Sequence, residues 1–352
     1  MRLRRPLTAA AALAATAALT LAGCASDDAP ESDQSAAASG NVRSEPTDEF
    51  PITIEHALGE TVVEKAPQRV ATWGWGSTEA AIAAGVYPVA VAEQIYTVGE
   101  DALLPWVEDA YDEEGVDKPA ILSDPEGGAS VPYEEFVEAE PDLIVAPYSG
   151  LTQEQYDVLS DIAPVVAYPD APWTTTWQDT ITLTAQALGR TDAGDQILGD
   201  IDDFVAEKAA DHPEFNGKTF AAIYDDPTKG IVSVYTPNDP RTVFLEGLGV
   251  KNAPSVTELD TSNGSFYYDL SYEELDKLDS DFVISYSESE EAAQAFDDNK
   301  DLQAIPAVKA GKVVKVVGTA EVSAVSPPTA LSVYWEDGLP ALVDSMAEVL
   351  GD

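Results

Sequence analysis

Two stretches of this chain repeat one pattern. Tyr133-Glu134-Glu135-Phe136 leads, at a fixed offset, into Asp142-Leu143-Ile144-Val145 and then Tyr148-Ser149. Tyr272-Glu273-Glu274-Leu275 leads, at the same offset, into Asp281-Phe282-Val283-Ile284 and then Tyr286-Ser287. A second echo lies upstream of each. Thr78 stands seven positions before Gly85-Val86, and Thr242 stands seven before Gly249-Val250. An amphipathic turn feeding an apolar strand, repeated in the same order, calls for two similar α/β lobes. Two facing lobes enclose a cleft, and clefts hold ligands.

The chain has 352 residues, enough for two such lobes. It opens with Arg2, Arg4 and Arg5, then an Ala/Leu-rich run to Leu21, then Ala22-Gly23-Cys24. A basic start, a short apolar stretch and small residues at a cut site read as a secretory leader over 1–23. Cys24 is the sole cysteine, so no intrachain disulfide is possible. Leu21-Ala22-Gly23-Cys24 resembles the lipobox of bacterial lipoproteins, which implies a lipidated Cys24 and a protein tethered to the membrane without a spanning helix. Residues 24–49 are rich in Ser, Ala, Asp, Glu and Pro and are expected to form a disordered tether.

Lys and Arg number 18 against 64 Asp and Glu, a formal charge of −46. Phosphate neutralisation needs a basic face, so nucleic acid is excluded as a partner. The same field disfavours strongly anionic ligands and favours neutral or cationic ones. Simple hydration of the surface accounts for most of the carboxylates.

Short apolar strands at 70–73, 89–92, 143–146 and 165–168 alternate with helical stretches, the signature of a parallel sheet covered by helices. Residues 50–190 are expected to form the first lobe and 213–352 the second. Between them, residues 191–212 carry apolar side chains at helical spacing and no Gly/Ser-rich joint, so the connection reads as a long rigid helix. Residues 273–278 and 328–350 are also expected to be helical.

Ligands in parallel α/β sheets meet the loops after the carboxyl ends of strands. Those loops hold Trp73, Trp75, Tyr96, Tyr148 and Trp173 in the first lobe, and Tyr224, Tyr235, Arg241 and Tyr286 in the second. Trp335 sits near the start of the closing helical stretch. Each ring by itself is as well explained by core packing, but as a group at strand ends they need a cover, which a ligand or the opposite lobe would supply. Arg241 is one of four arginines beyond the leader. It could hold an oxygen-rich ligand or simply pair with a nearby carboxylate.

Enzyme signatures are missing. Gly74-Trp75-Gly76 lacks the third glycine of a dinucleotide fingerprint, and no Gly-x-Ser-x-Gly elbow occurs. His56 and His212, the two histidines, are too far apart in the expected fold to share a metal. The chain is therefore read as neither an enzyme nor a direct metal binder, with no cofactor. A carboxylate-based exported hydrolase and an adhesion or sensor domain remain as alternatives.

The set Pro67-Gln68-Arg69-Val70, Gly74-Trp75-Gly76-Ser77-Thr78-Glu79, Glu140-Pro141-Asp142-Leu143-Ile144-Val145, Ile162-Ala163-Pro164-Val165-Val166 and Pro172-Trp173 resembles the bacterial ABC-transporter solute-binding proteins for ferric siderophores. That resemblance implies two Rossmann-like lobes joined by a long rigid helix, the class III periplasmic-binding-protein type. It implies capture of a ferric siderophore, whose chelator holds the iron, and delivery to an ABC permease with its ATPase. Haem and corrinoid binders belong to the same family. The family docks onto its permease through one exposed glutamate on each lobe, and counting back from Asp142 and Asp281 brings this role to Glu134 and Glu273. Its clefts carry aromatics with one or more arginines. Basic residues are sparse here, which favours hydroxamate over catecholate chelates. The protein is expected to act as a monomer outside the cytoplasm, lipid-anchored to the cell membrane.

Overall fold

The structure is a computed structural model, and it describes residues 41–94 and 102–351. An antiparallel hairpin of β1 (Ile52–His56) and β2 (Gly59–Val63) precedes the first large sheet. That sheet contains β3 (Val70–Thr72), β4 (Ala90–Ala92), β5 (Ala120–Leu122), β6 (Leu143–Val145) and β7 (Val165–Val166). All five are parallel, in the order β5-β4-β3-β6-β7. Its central strands are apolar on both sides, as a sheet covered on both faces requires. In β6, Ile144 meets Phe136 of the helix Tyr133–Ala139 on one face, whereas Leu143 and Val145 meet Ala81 of the helix Ser77–Ala83 and Ala187 on the other. The chain winds outward in both directions from β3, so the carboxyl ends of β3 and β6 flank the topological switch point.

The second sheet contains β8 (Thr219–Asp226), β9 (Ile231–Tyr235), β10 (Lys251–Asn252), β11 (Tyr267–Ser271), β12 (Phe282–Ser287) and β13 (Val313–Val317). Its order is β11-β9-β8-β12-β13, with β10 parallel to the start of β8. This sheet is mixed: β9 runs antiparallel to β8, and β11 antiparallel to β9. Only residues 227–230 separate β8 from β9, room for a hairpin and not for a parallel crossover. Gly230 takes a positive φ of 68° there, and its N–H donates to the Asp226 carbonyl at 3.1 Å.

The repeat marks equivalent places in the two sheets. Asp142, just before β6, accepts from the amides of Gln68 and Arg69 at 2.9 and 2.8 Å, at the start of β3. Asp281, just before β12, accepts from the amide of Thr219 at 2.8 Å, at the start of β8. Each carboxylate thus fastens the amino end of its own strand to that of its neighbour. The upstream echo is structural too. The Thr78 hydroxyl meets that of Thr72 at 2.7 Å, and the Thr242 hydroxyl donates to the Thr236 carbonyl at 2.8 Å. In both lobes a threonine at a helix start is tied to the end of the preceding strand.

The helix Thr191–Asp211 runs 21 residues between the two sheets, roughly 30 Å at 1.5 Å per residue. Gly194 lies against the Cβ of Ala185 in the helix Trp177–Ala187, so the two helices approach closely where the joining helix begins. Ile201 and Val205 belong to one apolar cluster that runs from Ile82 and Tyr111 of the first lobe to Phe220, Phe282 and Met346 of the second. The joint is therefore filled with side chains along its length.

Three expectations are corrected. The tether expected over 24–49 ends sooner, because residues 41–49 are fastened to the first lobe. Val42 is buried and bridges to Val86, and the Arg43 amide donates to the Gly85 carbonyl at 2.8 Å. Buried Arg190 donates to the Ser44 hydroxyl at 2.9 Å, the Leu188 carbonyl at 2.6 Å and the Ser44 carbonyl. Asp48 accepts from the Thr191 hydroxyl at 2.7 Å. These links are mostly backbone and charged contacts, which hydrophobic composition does not report. The helix expected over 328–350 begins only at Leu339. Before it, the amide of Thr329 donates to the Ser332 hydroxyl at 2.8 Å and the Ser332 amide to the Thr329 hydroxyl at 3.2 Å. Side chains that satisfy the backbone locally compete with a helix. Finally, residues Tyr272–Lys277 form a 3-10 turn and not an α-helix.

Asp142→Ala and Asp281→Ala are each expected to lower stability by roughly 1–3 kcal/mol, since each removes a charged acceptor from backbone amides at the strand starts. Urea unfolding midpoints check this, and unchanged midpoints would remove the fastening role.

Candidate functional site

The two loops at the switch point are zipped together. The Trp73 amide donates to the Val145 carbonyl at 3.0 Å and the Trp75 amide to the Tyr148 carbonyl at 3.1 Å. Gly74 sits between them at φ 83°, and a Cβ there would come within 2.2 Å of the Tyr148 carbonyl oxygen. Only glycine fits. Beyond this zip, Trp75 and Tyr148 stand in the wall of a cleft of about 630 Å³, counting its open mouth. The first lobe adds Glu79, Gln94, Trp106, Thr175, Trp177 and Thr180. The facing wall comes from the second lobe: Pro240, Ser323 and the run Ser326-Pro327-Pro328-Thr329, whose Ser326–Pro327 peptide is cis.

Of the residues singled out from the sequence, Trp75 and Tyr148 line this cleft directly. Trp173 stacks edge-on against Tyr148, with ring centroids 5.7 Å apart, and is 38 % exposed. It is held at φ 60° over Gly150 and Gly128, where any side chain would collide with its indole. Tyr235, Arg241 and Tyr286 form a group beside the Pro240 wall. The Arg241 guanidinium carbon lies 3.9 Å from the Tyr235 ring centroid and 5.5 Å from that of Tyr286, cation–π distances. The Arg241 Nε donates to Asp239 at 2.7 Å, so its charge is already matched. Burial pushes the Asp239 carboxyl up, and Arg241 only partly offsets this. Burial also raises the Tyr148 phenol, with Asp239 adding to the shift and Arg241 opposing it. Tyr224 pairs with Tyr286 across β8 and β12 and is not in the cleft wall. Trp335 stands behind the wall, 5.3 Å from Trp106. Tyr96 and Cys24 lie outside the described residues.

Trp73 is a correction. It is fully buried in the first lobe, 5.8 Å from Phe136, and takes no part in the cleft. It still pairs like a strand residue, and strand side chains alternate, so its ring falls on the same face as Ala71. Trp75 escapes because Gly74 turns the chain first.

The sequence reading missed Glu79, Trp106 and Trp177. Trp177 packs edge-on against Phe244, 6.0 Å away, and bridges the lobes. Glu79 is buried in the cleft wall, and its carboxylate accepts from the Trp106 indole N–H at 3.0 Å. Burial pushes this carboxyl up, opposed by hydrogen bonds from Trp106, its own amide and the Thr329 hydroxyl. Trp106 lies in the helix Pro105–Glu114, whose Pro at the first position and Gly115 at the end were available signals.

Glu134 and Glu273 lie far from this apparatus in role. Each is exposed in the first turn of its short helix. Among the described residues, no group of three or more His, Cys, Asp or Glu side chains is arranged to hold a metal, and no helix is long and apolar enough to cross a membrane.

Residues 70–317 match the model of the family described as periplasmic binding protein. The chain belongs to that family. Among curated relatives it is 26 % identical over 277 residues to the probable siderophore-binding lipoprotein YfiY of Bacillus subtilis, covering 75 % of this chain and 79 % of that one. Among solved structures it is 32 % identical to Streptococcus pneumoniae PiaA in complex with ferrichrome, with a TM-score of 0.74 over 85 % of this chain and 99 % of that one. A periplasmic solute-binding protein from Mycobacterium smegmatis superposes with a TM-score of 0.71 at 26 % identity, over the same shares. The two-lobed class III architecture is therefore that of this chain.

The different fates of the two neighbouring tryptophans are measurable. Trp73→Ala is expected to cost roughly 3–5 kcal/mol of stability, as for a filled core site, and Trp75→Ala under about 1 kcal/mol. Equal costs in urea unfolding would mean that Trp75 too is a core residue.

Proposed function

We propose that this protein is the extracytoplasmic solute-binding component of an ABC importer, capturing a ferric siderophore and delivering it unchanged to a membrane permease with its ATPase. The observation that carries this reading is the cleft itself: an aromatic wall of Trp75, Tyr148, Trp106 and Trp177 at the switch point, facing a proline- and hydroxyl-bearing wall across the gap. A siderophore fills the coordination shell of its iron, so the protein needs shape, ring faces and a few donors. The names of YfiY and PiaA support the same ligand class.

In this reading Trp75, Tyr148 and Trp173 contact the chelate from the first lobe, and Tyr235, Arg241 and Tyr286 frame it from the second. Arg241 already shares its charge with Asp239, which supports a neutral chelate such as a hydroxamate over a tri-anionic catecholate. Glu134 and Glu273 dock onto the permease, one from each lobe, and a lipidated Cys24 holds the protein at the membrane.

Titrating the protein with ferrichrome is expected to quench tryptophan fluorescence saturably, without turnover. Trp75→Ala together with Tyr148→Ala should weaken binding at least about tenfold, or ~1.4 kcal/mol. Quenching by haem or a corrinoid but by no ferric siderophore would reassign the ligand. For docking, Glu134→Ala with Glu273→Ala should abolish uptake into cells while leaving the ligand dissociation constant unchanged. Intact uptake would rule the docking role out.

A further inference from the structure

The charges around the cleft are unevenly balanced. On the second-lobe side Arg241 and Asp239 neutralise one another at 2.7 Å. On the first-lobe side Glu79 is buried in the wall, and among the described residues it has no ion pair with lysine, arginine or histidine. Its supports are all neutral donors: the Trp106 indole N–H at 3.0 Å, the Thr329 hydroxyl and its own amide. With no cation beside it, burial pushes this carboxyl toward its neutral form, and a cation reaching it through the cleft would ionise it and pair with it. Here the donors hold the carboxylate oriented, and the place of the cation is left to whatever enters the cleft.

The surroundings narrow what that cation is. Glu79 is lined by Leu104, Trp106 and Ile181 within the same cleft, so the approach is apolar. A second hollow shares Glu79, Gln94 and Leu104 with the cleft and is bounded by Val91, Ala92 and Val107, with room for little more than one water molecule. An apolar approach to a single buried carboxyl suits an alkyl arm that ends in a compact charge. We infer that Glu79 is a specificity-determining residue that selects ferric chelates bearing a pendant primary ammonium on an alkyl arm, the ammonium donating to the Glu79 carboxylate. This rests on the siderophore-binding reading above and names the subclass of ligand within it.

The test compares two ligands with one iron core. Ferrioxamine B carries a pendant alkylammonium, and its N-acetyl derivative carries a neutral amide in its place. Dissociation constants for both, and for ferrichrome as a chelate without such an arm, are measured by fluorescence titration at neutral pH on the wild-type protein and on Glu79→Gln. The wild type is expected to bind ferrioxamine B at least about tenfold more tightly than the acetylated form, the ratio a charge-assisted hydrogen bond supplies. Glu79→Gln should bring that ratio close to one. The wild-type comparison needs no variant, so it stands even if Glu79→Gln folds poorly. Ferrichrome binding without any advantage for the ammonium-bearing chelate overturns the role of Glu79 and leaves siderophore binding standing. A preference that persists in Glu79→Gln overturns it equally. Binding of none of the three ferric chelates overturns the siderophore reading, and this inference with it.

Discussion

The contact between Gly74 and the Tyr148 carbonyl fixes the geometry on which the binding face depends. It brings the loops after β3 and β6 together at the one place in the first sheet where the chain reverses its winding. The positive φ of Gly74 turns the backbone between two tryptophans, sending Trp73 into the core and Trp75 into the cleft. Tyr148 leaves the same contact on the other side and carries Trp173 on its edge. A Cβ at position 74 would force the loops apart and move all three rings together.

The second lobe answers with a different solution. Its hairpin of β8 and β9 replaces a parallel crossover and brings Tyr235 beside Tyr286, with Arg241 lying over both. A half-buried arginine is tolerable there because Asp239 matches its charge and two ring faces supply the remaining contact. The two walls are held in register by an apolar cluster that passes through the joining helix, so the cleft is bounded by packed elements and not by a loose linker.

Much of this was legible in the residues. The repeat fell on equivalent strands because Asp142 and Asp281 do the same job in each lobe. The joining helix was legible because Ile201 and Val205 keep helical spacing. Other parts were hidden for physical reasons. Gly74 marks the turn after Trp73, but which face of the sheet the Trp73 ring takes is decided by Phe136, which reaches it from elsewhere in the fold. Strands β10 and β11 are short or alternate weakly, and their partners are distant in sequence. Glu79 looked like one more carboxylate in an acidic chain. Its significance comes from Trp106 and Thr329, which approach it from elsewhere in the fold.

The fastening of residues 41–49 has a mechanical meaning. Arg190 stands immediately before the joining helix and grips Ser44 with two of its nitrogens, while Asp48 grips Thr191 at the first helical turn. A load on Asn41 would pass through Val42 and Arg43 to Val86 and Gly85 of the first lobe, and through Ser44 and Asp48 to the residues that open the joining helix. The segment thus ties the edge of the first lobe to the base of the joining helix, like a strap across a joint.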